Sequence, residues 1–336
     1  MNQRVLIKKT MTIPRFMIGA ALFTVVIFGQ ERRANGAGVV SDLTPEAEKA
    51  IEAGLKYLVA TQKPDGSWGD GNKVAYTSLS LMAFMVKGDM PEQPPYGDAM
   101  FRGLDYLLNK SKDGRGYMGS SMYEHGFATL AFSEVWGSTS RGKQVREALK
   151  KAVDIIIRSQ GGNGAWNYGP SPATHGGDIS VSVAQCVALA SAKEAGIFVP
   201  TEIIDKAVKF ISGCQEKSSG GFGYKGAGLP GYARTAAGVT SLMLCGRRDH
   251  PGIKPGLKWM QDHSSEEKWY EYGRYYATIA MLQAGDDYYK SYYSEVREKI
   301  VNSQQGDGSW NSSECRIQMN ILILGAPYRF IPIYQR

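Results

Sequence analysis

The sequence predicts an all-α fold, an α6/α6 toroid in which six helical hairpins close into a barrel. A glycine-rich turn recurs six times along the chain. An amphipathic helical pattern precedes each turn, and a more apolar pattern with many small residues follows it. A regular repeat of this length indicates stacked helical units rather than independent domains, and closure into a ring removes the ends that an open stack would expose.

The recurring turn has the pattern Gln-x₃-Gly-x-Trp, and its copies are about 43 to 55 residues apart. The full, looser and degenerate copies lie at 62–68, 160–166 and 304–310, at 215–223, and at 113–117 and 261–270. Glycine permits the left-handed backbone that ends a helix, and Trp can fill the gap between neighbouring repeats. We expect Trp68, Trp166 and Trp310 to be buried; exposed rings would instead suggest a carbohydrate platform.

The stretches before the turns have one apolar face at helical spacing, whereas those after the turns are apolar on several sides. The predicted outer helices are Pro45–Thr61, Gly97–Asn109, Gly142–Ser159, Thr201–Cys214, Lys254–His263 and Tyr288–Ser303. The predicted inner helices are Tyr76–Val86, Glu124–Val135, Asp178–Ala195, Tyr232–Cys245, Tyr275–Gln283 and Glu314–Leu324.

The composition excludes a disordered chain. Of the 336 residues 43% are apolar and 21% are charged, and the 40 glycines are not accompanied by excess proline. The net charge of +7 is concentrated in residues 1–37, which hold six cations and one anion, so only +2 remains from residue 38 onward. We therefore expect no nucleic-acid partner.

Residues 1–37 are predicted to be a signal peptide and leader, and residues 38–336 a single toroid domain. Lys8, Lys9 and Arg15 precede the apolar run 16–29, and small residues follow it. A charged and then apolar segment that is short for a membrane span is typical of secretory signals. We expect an exported protein, periplasmic or extracellular. The lesser alternative is an uncleaved anchor with contact to the membrane.

The four cysteines lack the C-x₂-C spacing of zinc sites, and we expect neither a metal nor a cofactor. They are Cys186, Cys214, Cys245 and Cys315. Each lies in or at the end of an apolar helical pattern, which favours small buried core residues. Two disulfides are the alternative in an exported chain.

Polar side chains cluster where the predicted inner helices begin. They are Tyr123, Glu124, His125, His175, Asp178, Tyr232, Arg234, Glu271, Tyr272, Arg274, Tyr275 and Glu314. Equivalent positions of a sixfold repeat lie at equivalent heights, so we expect these residues to face one another at one mouth of the barrel. Helix N-termini at this mouth would favour an anionic or electron-rich ligand.

Within this cluster we assign proton transfer to His125, with Glu124 or Asp178 orienting its ring and His175 as a further catalytic candidate. At an open mouth, replacing His125 by Ala would change stability by less than about 1 kcal/mol. Carboxylates at helix starts also cap backbone N–H groups without catalysis, which is the alternative for Asp178. Substrate binding is assigned to Tyr123, Tyr232, Arg234, Tyr272 and Arg274.

The Gln-Gly-Trp repeat resembles the QW motif of the prenyltransferase and squalene/oxidosqualene cyclase superfamily, from about residue 45 to 325. The resemblance implies the toroid fold, a hydrophobic isoprenoid-type substrate and cyclase-like isomerase or transferase activity. Because protein prenyltransferase β-subunits share this fold, a partner subunit is a further expectation.

The chemical motifs of these families are only partly present. Class II cyclases open an inner helix with Asp-x-Asp-Asp-Thr-Ala, whose middle Asp protonates the substrate. The nearest stretch here is 175–180, in which Asp178 matches the last Asp and Gly177 replaces the proton donor. Prenyltransferases hold zinc through Asp-x-Cys, and Ser180 replaces that Cys.

Three functions therefore remain open, with a small hydrophobic or anionic ligand. A terpene-cyclase-like enzyme or binder predicts an apolar aromatic cavity. A polysaccharide-active toroid, such as a lyase, predicts an open polar groove with Arg234 and Arg274 exposed. A non-catalytic binding or assembly module predicts a plugged barrel.

The leader can be tested directly. The mature chain is expected to begin between about residues 30 and 40 and to be found outside the cytoplasm, because the charged and apolar leader has the form of a cleaved signal. N-terminal sequencing of the native protein measures this. Recovery of residues 1–10 from a soluble cytoplasmic fraction would contradict it.

Overall fold

The computed structural model describes residues 42–172, 176–265, 268–310 and 315–335. Within these ranges twelve α-helices alternate between an outer and an inner set. The outer helices are α1 Pro45–Thr61, α3 Gly97–Asp113, α5 Gly142–Arg158, α7 Thr201–Gly213, α9 Ile253–Asp262 and α11 Asp286–Asn302. The inner helices are α2 Lys73–Met85, α4 Met122–Val135, α6 Ile179–Glu194, α8 Tyr232–Leu244, α10 Tyr270–Ala284 and α12 Arg316–Leu324.

The inner helices form a closed ring. Each packs against the next, and α12 packs against α2, while the outer helices cover the ring. The predicted α6/α6 toroid is confirmed, and most helix bounds agree within a few residues. The main difference is α10, which begins at Tyr270 instead of Tyr275.

The Gln-x₃-Gly-x-Trp turns join outer to inner helices through the same hydrogen bonds in every full copy. The Trp rings are buried, and each Nε1–H donates to a carbonyl at the end of the preceding outer helix. The distances are 2.7 Å for Trp68 to Leu58, 2.7 Å for Trp166 to Ile156 and 2.8 Å for Trp310 to Ile300. The expected burial of these rings between helices is thus confirmed.

The glycine and the inner-helix hydroxyls complete the turn. Gly164 has φ +89°, a left-handed conformation that a side chain would strain, and the corresponding Gly66 has φ +85°. The backbone N–H of Trp68 donates to the Thr77 hydroxyl, and that of Trp166 donates to the Ser182 hydroxyl. The small polar residues of the inner helices therefore hold the turns as well as permitting close helix packing.

In the three full turns and the looser one, the Gln side chain connects one repeat to the next. Its Nε2 donates both to a carbonyl of its own turn and to a carbonyl near the start of the following outer helix. The second bonds run from Gln62 to Ala99, from Gln160 to Ile203, from Gln215 to Gly252 and from Gln304 to Ala50, at 2.8, 2.9, 2.7 and 2.8 Å. The last of these joins the sixth repeat to the first.

A C-terminal segment lies across the end of the barrel opposite the turns. The 3₁₀ helix Pro332–Tyr334 packs against both α6 and α10, which are not neighbours in the ring. Gln283 donates to the carbonyl of Ile333 at 3.1 Å, and the Tyr334 hydroxyl donates to the carbonyl of Leu322 at 3.1 Å. Both Ile333 and Tyr334 are buried, so this segment closes that end.

The four cysteines lie in the core or beside it. Cys186, Cys214 and Cys245 are buried, as expected of core residues, and Cys315 is half-buried. None of the described helices combines the length and apolar character needed to cross a membrane. In the described ranges no three His, Cys, Asp or Glu side chains gather as a metal site would require.

Replacing Trp166 by Ala is expected to lower the free energy of unfolding by about 3–5 kcal/mol, because the ring is fully buried and leaves a cavity. Trp166→Phe retains most of the packing and loses only the Nε1–H bond, so it should cost less. Urea unfolding measures both. A loss below about 1 kcal/mol for Trp166→Ala would contradict the packing role.

Candidate functional site

Two tyrosines meet across the barrel axis at the end where the inner helices begin. The rings of Tyr123 on α4 and Tyr272 on α10 have centroids 6.2 Å apart, and their hydroxyl oxygens are 3.4 Å apart. The Tyr272 hydroxyl also donates to the carbonyl of Ser180 on α6 at 2.9 Å. Because α4 and α10 are opposite members of the ring of six, these contacts span the mouth and close it.

More tyrosines fill the space below this contact. Tyr276, one turn further along α10, packs edge-on against Tyr272 with centroids 4.8 Å apart, and Tyr275 lies 5.0 Å from Tyr276. Burial raises the pKa of Tyr123, Tyr272 and Tyr276 above the usual value. These phenols therefore stay neutral near pH 7 and act as packing and hydrogen-bonding groups.

His125 faces away from the axis. It follows Tyr123 by two residues, which turns its side chain by about 200° around α4 toward the outer helix α5. Its Nε2–H donates to the carbonyl of Ala152 at 3.0 Å, and its Nδ1 accepts from the N–H of Met118 at 3.2 Å. Burial lowers the pKa of His125 to about 4, so the ring is neutral.

The expectation that His125 lies at an open mouth is therefore wrong, and its burial leads us to expect that replacing it by Ala costs stability. Both ring nitrogens of His125 are used by the backbone in a fully buried position. A proton-transfer group needs a nitrogen within reach of the substrate, and this environment offers none.

Arg274 shows the same rotation relative to Tyr272. Its guanidinium lies over the ring of Tyr232 at 4.1 Å and over that of Tyr270 at 4.9 Å, and it donates to the carbonyl of Ser264. Burial disfavours its charge, yet the surrounding tyrosines, Tyr232 first, raise the pKa of Arg274. The polysaccharide-active alternative predicts an exposed Arg274, and this prediction is wrong, because the side chain is buried.

The two carboxylates at the mouth are held by helix N-termini. Glu124 accepts from the N–H of Val74 at the start of α2 at 3.2 Å and from the N–H of Ser120 at 2.5 Å. Asp178 is the N-cap of α6 and accepts from the N–H groups of Ser180 and Val181 at 2.9 and 3.0 Å. Asp178 therefore caps α6, as the capping alternative expects.

The remaining two candidates are placed differently. Arg234 is half-buried, and a Cβ on Gly231 would lie 2.6 Å from its Nη2, so the guanidinium folds back over that glycine. His175 lies outside the described residues, as does Glu314. Of the nine residues assigned to catalysis or substrate binding, only Tyr123 and Tyr272 are seen to meet across the axis.

Gly177 is required by the neighbouring turn. A Cβ at this position would lie 1.9 Å from the carbonyl oxygen of Trp166, and the N–H of Asp178 donates to that same oxygen at 3.1 Å. Real contacts to a Cβ are never this short, so an aspartate at 177 would collide with the turn backbone. The position that the resemblance assigns to the cyclase acid has no room for a side chain.

An exposed group of apolar side chains lies on the same face, on the loops that lead into α6, α8 and α10. We call this group the mouth platform; it consists of Tyr168, Tyr224, Leu229 and Trp269, with exposures of 51, 37, 86 and 70%. The Tyr168 and Tyr224 hydroxyls are 3.5 Å apart, and the ring of Tyr168 lies 5.7 Å from that of Tyr123. Sequence reasoning missed these residues because loop aromatics carry no periodic signal, although their position just before inner helices could have drawn attention.

Two fungal lanosterol synthases are similar in sequence to part of this chain. The enzyme of Aspergillus fumigatus is 26% identical over 130 residues, which is 36% of this chain and 17% of the synthase. That of Pneumocystis carinii is 20% identical over 139 residues, which is 36% of this chain and 18% of the synthase. The match thus covers less than a fifth of the length of these relatives. No protein-family model matches the sequence.

Solved structures cover most of the chain. The type II terpene cyclase MstE from Scytonema has a TM-score of 0.59 at 13% identity and covers 86% of this chain and 100% of its own. The chain has the fold of the squalene-cyclase and prenyltransferase superfamily. An α-1,6-mannanase of a Salegentibacter species, solved with α-1,6-mannotriose, has a TM-score of 0.63 at 9% identity and covers 84% of this chain and 99% of its own. At such low identity the similarity to either structure concerns the fold alone.

The buried state of His125 predicts a pH dependence. Its pKa is about 4 in the fold and about 6.5 when unfolded, so the fold loses stability as the pH falls from about 6.5 toward 4. In His125→Gln, which keeps a donor toward Ala152, this loss is absent. The stability advantage of the wild type over the variant should therefore shrink by up to roughly 3 kcal/mol over that interval.

Urea unfolding of both proteins at a series of pH values measures this difference, and the carboxylates that titrate in the same range are common to both. A difference that does not change with pH would contradict a buried neutral ring.

Proposed function

We propose that this chain is an exported, non-catalytic binding or assembly module that uses the cyclase-type toroid and takes its partner on the mouth platform. The observation that carries the proposal is the contact of Tyr123 and Tyr272 across the barrel axis. A cyclase-like toroid needs an apolar cavity at this place, and here the rings occupy it.

The state of the acid and base groups supports the same proposal. A group that transfers protons must be free to reach the substrate. The carboxylates of Glu124 and Asp178 instead accept from backbone N–H groups, and both nitrogens of His125 are hydrogen-bonded in the core. These side chains therefore stabilise the ring of inner helices.

The mouth platform supports a binding role. Clusters of exposed apolar side chains on a soluble domain mark interaction surfaces, and tyrosine combines a large apolar face with a polar tip that suits such a surface. Tyr123, Tyr168 and Tyr224 adjoin one another there. The partner is expected to present an apolar surface, either an isoprenoid-type lipid or a partner subunit.

A second candidate is a terpene-cyclase-like isoprenoid enzyme. The partial similarity to lanosterol synthases favours it, and structures of MstE contain a geranylgeranyl dihydroxybenzoate substrate. This function would require Tyr123 and Tyr272 to separate and another acid to replace the one excluded at Gly177.

Paired surface variants test the platform. The double variant Tyr224→Ser/Leu229→Ser is expected to lower the amount of lipid or protein that co-purifies with the natively expressed chain by at least about fivefold, because it removes exposed apolar area. Phe198→Ser is the matched control, since Phe198 is 83% exposed on the loop between α6 and α7, at the other end of the barrel. Mass spectrometry of the extracted lipid and protein gives the amounts.

Equal losses in both variants, or no loss in either, would contradict the platform. The cyclase alternative is measured separately by incubating the wild type with squalene or geranylgeraniol. A product of unchanged mass and new chromatographic mobility would contradict the non-catalytic proposal.

A further inference from the structure

A polar cleft of about 430 Å³ lies beside the mouth, between the start of α10, the end of α11 and the start of α12. Tyr270, Glu271, Lys299, Arg316 and Asn320 line it together with three serines. Its volume is within the range of small-molecule sites and well above that of a single ion. None of its lining residues belongs to the mouth platform.

A buried positive charge lies directly behind this cleft. Arg274 is 1% exposed, and it contacts Ser264 and Tyr270, both of which line the cleft. Within the described ranges no carboxylate pairs with Arg274, and its Nε has no hydrogen-bond partner. The tyrosine rings and the Ser264 carbonyl stabilise this cation, but no described carboxylate neutralises it, so an anion in the cleft would be attracted to it.

The rim adds further cations. Arg316 forms an ion pair with Glu271, with 2.7 Å between Nε and Oε1, and Lys299 forms one with Glu295 on its own helix. Together with the buried Arg274 behind the cleft, the described residues around it thus hold three cations and two carboxylates, Glu271 and Glu295, which leaves one positive charge in excess. The N-termini of α10 and α12 add partial positive charge at the cleft, and the C-terminal end of α11 adds partial negative charge.

The cleft also contains unused neutral hydrogen-bonding groups. Asn320 is 4% exposed and lines the cleft, and its amide makes no hydrogen bond within the described part of the chain. The Tyr270 hydroxyl is buried and likewise lacks a partner there. An amide and several hydroxyls beside a positive region fit a ligand that carries hydroxyl groups as well as a negative charge.

We propose that this cleft binds a carboxylate-bearing saccharide, a uronate unit of an acidic polysaccharide. The carboxylate lies toward Arg316 and Lys299 in the field of Arg274, and the amide of Asn320 bonds the sugar hydroxyls. This inference goes beyond the mouth platform, and neither depends on the other.

Calorimetric titration of the full-length protein with trigalacturonate, mannotriose and sodium sulfate tests the proposal. Trigalacturonate is expected to bind at least about tenfold more tightly than mannotriose and sulfate, because only it combines charge with hydroxyls. Lys299→Gln and Asn320→Ala are each expected to weaken its binding about five- to tenfold. Lys290→Gln is the matched control, since Lys290 is also an exposed lysine of α11 paired with a carboxylate four residues away.

Several results would overturn the proposal. If mannotriose binds as tightly as trigalacturonate, the carboxylates of the ligand do not contribute to binding. If sulfate binds as tightly, the cleft is a simple anion site. Lack of trigalacturonate binding, or an equal effect of Lys299→Gln and Lys290→Gln, would exclude the cleft. If Asn320→Ala does not fold, the exposed Lys299→Gln decides.

Discussion

The toroid depends on the glutamine of the Gln-x₃-Gly-x-Trp turn, in its three full copies and its looser copy. In these four repeats one side-chain amide bonds both its own turn and the start of the next outer helix, so it fixes the position of the following repeat. The bond from Gln304 to Ala50 applies the same rule between the last repeat and the first. Each bond contributes only about 1 kcal/mol net, but breaking one would leave buried carbonyls without a partner, which costs more. Ring closure is therefore a local interaction repeated around the barrel.

In this architecture the N–H groups at the start of each inner helix need hydrogen-bond acceptors from outside that helix. Every helix begins with N–H groups that have no partner within the helix, and in a closed ring water cannot reach many of them. Here the next repeat supplies the acceptors. The N–H of Val74 donates to the Glu124 carboxylate. The N–H of Met122 donates to the carbonyl of Tyr168, and that of Ile179 to the carbonyl of Tyr224. The polar residues at the helix starts are thus largely part of the scaffold.

The fold could be predicted from the sequence because its signals are periodic: the turn recurs in register, and the helices show their apolar spacing. The C-terminal closure by residues 332–334 could not, since a single 3₁₀ turn has no period. For the site, the shared repeat position gave the correct height of Tyr123 and His125 along the barrel, but height does not determine direction. One residue advances a helix by about 100°, so Tyr123 points to the axis while His125 points to α5. Which of the two faces the axis depends on how the ring packs.

The same turn that builds the barrel also decides what chemistry its mouth can hold. The carbonyl of Trp166 accepts from the N–H of Asp178, and this bond brings the backbone so close that only glycine fits at position 177. An acid at the start of α6 and this turn geometry therefore compete for one place. A toroid that keeps both Trp166 and Asp178 in these positions therefore has no room for an acidic side chain at position 177.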